Sequence, residues 1–300
     1  MPIQPRPVLG AFELVEPIRK GGMAEVWRGA HREAGTPVAV KLVVSELAQT
    51  RAMREALRNE VRTMARLDHP GVVRVHDYGQ VSREAADASR GRVLADSPYL
   101  VMALADGGTL QGAHVSVWAD AERVLAQVLS ALAHAHARAV VHRDIKPSNV
   151  LVTGAYPHNF ELSDFGIAHA LSRRSDGAPV APTAAGTPWF MAPEQILGLH
   201  RDEGPWTDLY AVGCLAYLMI AGRLPFPGAD RAQVYEAHCL AAPPPLEARF
   251  AVPDEVEVWV GVLLGKRPRD RFALAADALR ALQSLGPPTR APREGSLPPP

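Results

Sequence analysis

Val141-His142-Arg143-Asp144-Ile145-Lys146-Pro147-Ser148-Asn149-Val150-Leu151, followed a short way downstream by Ser163-Asp164-Phe165-Gly166, is the stretch from which the rest of the chain is read. An apolar pair precedes it. Asp144 then offers a carboxylate able to accept a proton, and Lys146 a cation able to clamp a phosphate. Asn149 and Asp164 supply two hard oxygen donors of the kind a small divalent metal takes. That combination at that spacing suits metal-assisted transfer of a phosphoryl group.

The chain has room for such a site. Its 300 residues, 47% of them hydrophobic, can build a sizeable core and two lobes. With 32 basic and 32 acidic residues the formal charge is zero, which argues against nucleic acid or an anionic membrane surface as a partner. Cys214 and Cys239 alone form neither a metal site nor a disulfide framework, and they fit a reducing compartment. The start, Met1 to Pro7, lacks the apolar core of a secretory signal. No stretch approaches the roughly 18 to 20 uncharged apolar residues that span a bilayer.

Upstream, apolar and polar residues alternate from Phe12 to Val44 around glycines, which predicts three antiparallel strands. Between the first two, Ile18-Arg19-Lys20-Gly21-Gly22-Met23-Ala24-Glu25-Val26 carries small residues that let backbone N–H groups approach a phosphate. Alone, a plain glycine hairpin explains it as well. Lys41 sits in an otherwise apolar strand, where it either snorkels to the surface or reaches into a cleft. Met53, Leu57, Val61, Met64 and Leu67 recur at three- and four-residue steps, predicting an amphipathic helix from about residue 51 to 67. Val72–Gly79 and Pro98–Met102 read as further strands, with residues 82–97 a mobile surface loop. Ala119–Arg138 reads as a long helix and Trp206–Met219 as a buried one. His134, His136 and His142 lie close in sequence, but no acidic or thiolate partner completes a coordination set.

The run His142-Arg143-Asp144-x-x-x-x-Asn149 followed by Asp164-Phe165-Gly166 resembles the catalytic loop and metal motif of protein kinases. Val38-Ala39-Val40-Lys41 resembles their third strand, and the resemblance spans about residues 11 to 285. It is nearest to bacterial serine/threonine kinases of the eukaryotic-like (Hanks) type, through Gly21-Gly22-Met23-Ala24-Glu25-Val26 and Asp164-Phe165-Gly166-Ile167-Ala168.

The resemblance implies an α+β, bilobal fold. An N-terminal extension (1–10) precedes a smaller lobe (11–103) of antiparallel sheet plus one helix. A mainly helical lobe (104–285) and a proline-rich disordered tail or linker (286–300) follow. ATP and Mg²⁺, with Mn²⁺ as an alternative ion, are the implied cofactors, and the implied reaction is γ-phosphoryl transfer to Ser/Thr hydroxyls of protein substrates. Asp144 is implied as the base, Lys146 as the cation beside the transferred phosphoryl group, and Asn149 and Asp164 as metal ligands. Lys41 would be ion-paired to Glu60, nine residues before His69, rather than to Glu55. The nucleotide would meet Ile18, Gly21, Gly22, Val26, Ala39, Met102 as gatekeeper, the hinge Ala103-Leu104-Ala105, and Leu151. Arg143 would meet a phosphate on the segment 167–191, with Thr183 favoured over Ser172 and Ser175, while Thr187 belongs to the loop before Ala192-Pro193-Glu194. Asp208 would tie a buried helix to the catalytic loop, and Arg271 would pair with Glu194. Phe165 and Gly166 would gate Asp164.

Two positions depart from the pattern, since of the three glycines in the family's phosphate loop only the middle one, Gly21, is kept, with Arg19 at the first position and a small Ala24 at the third. Arg19 stands where the family has the first glycine of its phosphate loop, and weaker ATP binding is the expected consequence. A pseudokinase and a small-molecule kinase of the aminoglycoside phosphotransferase type are the alternatives. The intact set of Lys41, Asp144, Asn149 and Asp164 argues against the first, and Ala192-Pro193-Glu194 against the second. A cytoplasmic location, alone or as part of a longer membrane-anchored protein, fits the composition. Two copies acting on each other in trans fit the resemblance.

Overall fold

The computed structural model describes residues 6–21, 24–43, 55, 58, 61–89, 91–165 and 188–292. These fall into two compact units. One holds the described residues up to Asp68 together with Val73–Asp106, and the other holds His69–Val72 and the described residues from Gly107 on.

The first unit is a six-stranded antiparallel sheet of order β1-β2-β3-β4-β6-β5. Its strands are β1 (Val8–Leu9), β2 (Phe12–Lys20), β3 (Ala24–His31), β4 (Pro37–Val43), β5 (Val75–Gln80) and β6 (Pro98–Ala103). Strand alternation puts Trp27, Val38, Val40, Leu42, Tyr99 and Val101 on one face, where they form a buried core with Leu9, Phe12 and Leu14. Ala39 and Lys41 therefore lie on the opposite face.

Two expectations change here. Val8–Leu9, assigned to an N-terminal extension, pairs with β2, and Leu9 is buried in the core. The segment 82–97, expected as a mobile loop, contains helix α1 (Arg83–Ala88), capped by the Ser82 side chain, which accepts from the Ala85 N–H. Val81, Ala85 and Val93 pack that segment onto the sheet core. A six-residue, alanine-rich helix is too short to show an apolar period, so burial rather than amphipathicity holds it. The helix expected over 51–67 is helical at residues 55, 58 and 61–64, with Val61, Met64 and Leu67 buried. Met53, Leu57 and Glu60 lie outside the described residues.

The second unit is mainly helical. Helix α2 (Trp118–His136) buries Val124, Leu125, Val128, Leu129 and Leu132, the stripe expected from its 3.6-residue period. A two-stranded antiparallel ribbon, β7 (Val150–Thr153) and β8 (Asn159–Leu162), packs against it. Next come α3 (Pro193–Ile196), α4 (Pro205–Ala221), α5 (Arg231–Leu240), α6 (Val256–Leu263) and α7 (Ala275–Gln283). Helix α4 is buried almost all round and ends at Gly222, whose φ of 72° gives the left-handed cap that glycine adopts without Cβ strain. The chain past Gly286, expected as the start of a disordered tail, is held as far as Arg290. Arg290 exchanges both main-chain hydrogen bonds with Val252 and pairs with Glu257 at 2.6 Å.

Candidate active site

The loop 142–149 is fixed by α4. Asp208, in the first turn of that helix, is buried and accepts the main-chain N–H of His142 at 2.8 Å and of Arg143 at 2.7 Å. His136, at the end of α2, donates Nε2–H to the same carboxylate at 2.8 Å. Burial alone would raise the Asp208 carboxyl, but the His136 hydrogen bond and the neighbouring histidines outweigh it and hold Asp208 below the usual carboxylate range.

His142 is fully buried. Its Nε2 donates to the Ser163 carbonyl at 2.9 Å and its Nδ1 accepts the Asp144 N–H at 3.3 Å, which defines a neutral ring. Burial pushes its pKa down, in the direction this tautomer requires. The Phe165 ring lies 4.4 Å from that of His142, so the residue after Asp164 is packed onto the loop. Of the three neighbouring histidines, His136 and His142 thus have structural tasks, and the described residues contain no metal-type cluster of His, Cys, Asp and Glu.

The polar groups converge on Asp144. Lys146 Nζ lies 2.7 Å from Oδ2 and 3.0 Å from Oδ1. The Asn149 amide donates to Oδ2 at 2.9 Å and to the Asp144 carbonyl at 2.8 Å. Both amide protons are thereby used, and Asn149 Oδ1 keeps its lone pairs. Oδ2 of Asp144 has two donors and Oδ1 one, so Oδ1 retains more capacity to accept a further hydroxyl.

Backbone pairing brings Asp164 to this group. Val150 faces Leu162 in the β7–β8 ribbon, and the Ser163 N–H donates to the Asn149 carbonyl at 2.9 Å. Asn149 and Asp164 consequently flank the same end of the ribbon. Asp164 takes φ 65° and Arg143 φ 66°, a left-handed conformation that costs a non-glycine residue about 1–2 kcal/mol. The Asp208 and Gln195 contacts hold Arg143 in it. Asn149 Oδ1 and the Asp164 carboxylate are hard oxygen donors that fit Mg²⁺. Leu151 sits on β7, where the main chain of Gly107 and Gly108 exchanges hydrogen bonds with Val152. A Cβ on Gly107 would meet the Val152 carbonyl at 2.8 Å, so this approach needs glycine.

In the sheet unit, register assigns the remaining candidates. Lys41 is opposite Val26 on one side and Leu100 on the other, and Ala39 is opposite Met102. Directly opposed residues share a face, so Val26, Ala39, Lys41 and Met102 all lie on the face away from the core. Arg19 is opposite Val26 and joins that row. Ile18 lies at the bulge between Pro17 and Arg19 and is exposed. Gly21 closes the hairpin, its N–H donating to the Ala24 carbonyl at 3.0 Å. The Ala103 N–H donates to the Arg74 carbonyl. Leu104 and Ala105 lie past β6, and their main-chain groups take no partner among the described residues.

Glu60, Gly22, Gly166, Ser172, Ser175, Thr183 and Thr187 lie outside the described residues. The phosphate expected at Arg143 falls on a segment of which residues 166–187 lie outside the described residues, and among the described residues the Arg143 guanidinium meets Glu203. Its Nε donates to Glu203 Oε2 at 2.9 Å. Nothing in the sequence marked Glu203, one acid among many in a loop. The pairing expected of Arg271 is present, with Nη1 and Nη2 donating to the two Glu194 oxygens at 2.8 and 2.9 Å.

Comparison with known proteins agrees with this geometry. The model of the protein kinase domain family matches residues 12–280. Serine/threonine-protein kinase PknA of Mycobacterium tuberculosis is 35% identical over 297 residues, covering 97% of this chain and 65% of PknA. Serine/threonine-protein kinase Pkn1 of Myxococcus xanthus is 36% identical over 281 residues, covering 91% of this chain and 38% of Pkn1. The chain thus spans less than two thirds of the length of these relatives. A crystal structure of a mutant M. tuberculosis PknI kinase domain superposes with a TM-score of 0.68 at 24% identity, covering 93% of this chain and 97% of that one, a likeness of fold.

Proposed function

The chain belongs to the protein kinase family, and from that premise we propose that it transfers the γ-phosphoryl group of Mg-ATP to serine and threonine hydroxyls of proteins. The observation that carries this reading is the network on Asp144, in which Lys146 and Asn149 fix the carboxylate while Oδ1 keeps capacity for an incoming hydroxyl.

Asp144 orients the acceptor hydroxyl and receives its proton as the new O–P bond forms and the bond between the γ-phosphorus and the β–γ bridging oxygen breaks, with ADP as the leaving group. Lys146, already paired to Asp144, lies where it can share its charge with the transferred phosphoryl oxygens. Asn149 Oδ1 and Asp164 would hold Mg²⁺, which neutralises phosphate charge when bound. Lys41 supplies a cation for the remaining phosphates, and Val26, Ala39 and Met102 an apolar surface for the base. The unpartnered main chain of Leu104 and Ala105 suits the polar edge of adenine. Lys146 also favours Ser/Thr over tyrosine as acceptors. Hydroxyls of this chain itself, with Thr183, Ser172 and Ser175 as candidates, belong to the same substrate class, in trans between two copies.

Incubation with radiolabelled ATP, Mg²⁺ and a generic protein substrate tests the reading. Wild type should label serine and threonine, and Asp144→Asn should lower kcat by about 10²-fold or more. Equal labelling by the two proteins, or none by wild type, would refute it.

A further inference from the structure

Arg143 is restrained at three polar positions, its main-chain N–H, its carbonyl and its Nε. Its N–H donates to Asp208 Oδ1 at 2.7 Å, its carbonyl accepts Gln195 Nε2 at 2.9 Å, and its Nε donates to Glu203 at 2.9 Å. The Glu203 side chain is only 2% exposed, against 29% for Arg143. Its second oxygen accepts His200 Nδ1 at 2.8 Å. Both oxygens of a buried carboxylate are therefore engaged, which distinguishes this contact from a solvated surface pair.

Glu203 is itself held by a buried frame. The next residue, Gly204, donates its N–H to Thr207 Oγ1 at 3.0 Å, and Thr207 donates to Glu194 at 2.9 Å. Glu194 is in turn gripped by Arg271. Glu203 precedes Gly204, the N-cap of α4, and Asp208 lies in the first turn of that helix. One helix start thus supplies both the carboxylate that binds the Arg143 main chain and the carboxylate that binds its guanidinium. Asp144 follows Arg143 directly in the chain, so whatever fixes Arg143 fixes the backbone that carries Asp144.

We propose that Glu203 is a built-in anionic partner that positions Arg143, and through it Asp144, so that the site is held in place without a phosphate on the segment 167–191. This rests on the kinase reading above and concerns the regulation of the same site. Glu203 is a positioning residue, since it acts through Arg143. A phosphate arriving at the guanidinium would find its charge already matched and a carboxylate beside it, so phosphorylation would add little.

Two measurements test this. In the first, kcat and KM are compared for wild type, the Ser172→Ala/Ser175→Ala/Thr183→Ala protein, Glu203→Gln, Glu203→Asp, Arg143→Ala and Arg143→Ala/Glu203→Gln. The triple-alanine protein should keep kcat within about threefold of wild type. Glu203→Gln should lower kcat about tenfold with the KM for ATP unchanged, and Glu203→Asp should recover part of that loss. In the Arg143→Ala background Glu203→Gln should change kcat by less than about twofold, because its lever is gone. A triple-alanine protein slowed about tenfold beside a Glu203→Gln protein at wild-type rate would overturn the proposal.

The second measurement does not depend on catalysis. Urea unfolding of Arg143→Ala, Glu203→Gln and the double variant should show coupling of about tenfold or more in the unfolding equilibrium constant. Additive effects would overturn the proposal even if the kinase reading stands. Coupling in a protein that transfers no phosphate would instead sustain the tether and count against the kinase reading alone.

Discussion

Replacing Arg271 by methionine tests the frame on which the site rests. The guanidinium is wholly buried and its partner Glu194 is 2% exposed. Besides the two bonds to Glu194, Arg271 donates from Nε to the Gly265 carbonyl at 2.6 Å, from Nη1 to the Trp206 carbonyl at 3.0 Å and from Nη2 to the Lys266 carbonyl at 3.2 Å. Methionine fills much of the volume but returns none of these donors. Glu194 would retain only Thr207 in a site that excludes water. Breaking a buried pair from one side costs about 3–5 kcal/mol, a large share of the roughly 5–15 kcal/mol by which domains are stable. Removing both charges costs less, so Arg271→Met/Glu194→Leu should recover about 2 kcal/mol relative to Arg271→Met. Urea unfolding followed by tryptophan fluorescence reads this well, because Trp118, Trp189, Trp206 and Trp259 all belong to the helical unit. Stability of Arg271→Met within about 1 kcal/mol of wild type at an unchanged m-value, or a double variant no more stable than the single, would refute the argument.

Two further outcomes follow from the same structure. His238 is buried, bonds the Tyr210 hydroxyl at 3.0 Å, and its pKa is pushed by burial, with help from Lys266, to about 4 from the ordinary histidine value of 6.5. The unfolded chain then binds the extra proton first, so stability is lost as pH falls from about 6.5 to 4, by roughly 3 kcal/mol at most. His238→Asn should flatten that part of the pH–stability curve, and an unchanged slope would contradict it. Arg19 adds a bulky cation to the row that holds Val26 and Lys41; Arg19→Gly should lower the KM for ATP by about threefold, and an unchanged or higher value would contradict the expectation.

The parts of this protein legible in its sequence are those where chemistry restricts residue choice. A carboxylate, a lysine and an amide spaced as Asp144, Lys146 and Asn149 marked the polar loop, and an apolar run interrupted by one lysine marked β4, where Lys41 lies on the face away from the core. The apolar period of α2 and the nearly continuous apolar run of α4 located both helices to within about two residues. What was hidden depended on tertiary burial. Val8–Leu9 is too short to show alternation and is a strand only because β2 offers an edge. Helix α1 has no periodic stripe and is held by Ala85 and the Ser82 cap. Glu203 resembles any surface acid until the fold closes over it. Resemblance supplied the roles of Asp208 and Arg271, whose partners lie too far away in sequence for local patterns to indicate.

Those distances in sequence have a consequence for synthesis. The bonds that shape the loop join His142 to Asp208, Arg143 to Glu203 and Glu194 to Arg271, across separations of 66, 60 and 77 residues. Such contacts form only after long stretches of chain have been ordered. A nascent chain emerging from the ribosome exposes Asp144, Lys146 and Asn149 long before α4 exists to hold them, and Glu194 before Arg271 has been made. The shape of the loop is therefore a property of the finished helical unit, and a half-made chain carries its residues without their arrangement.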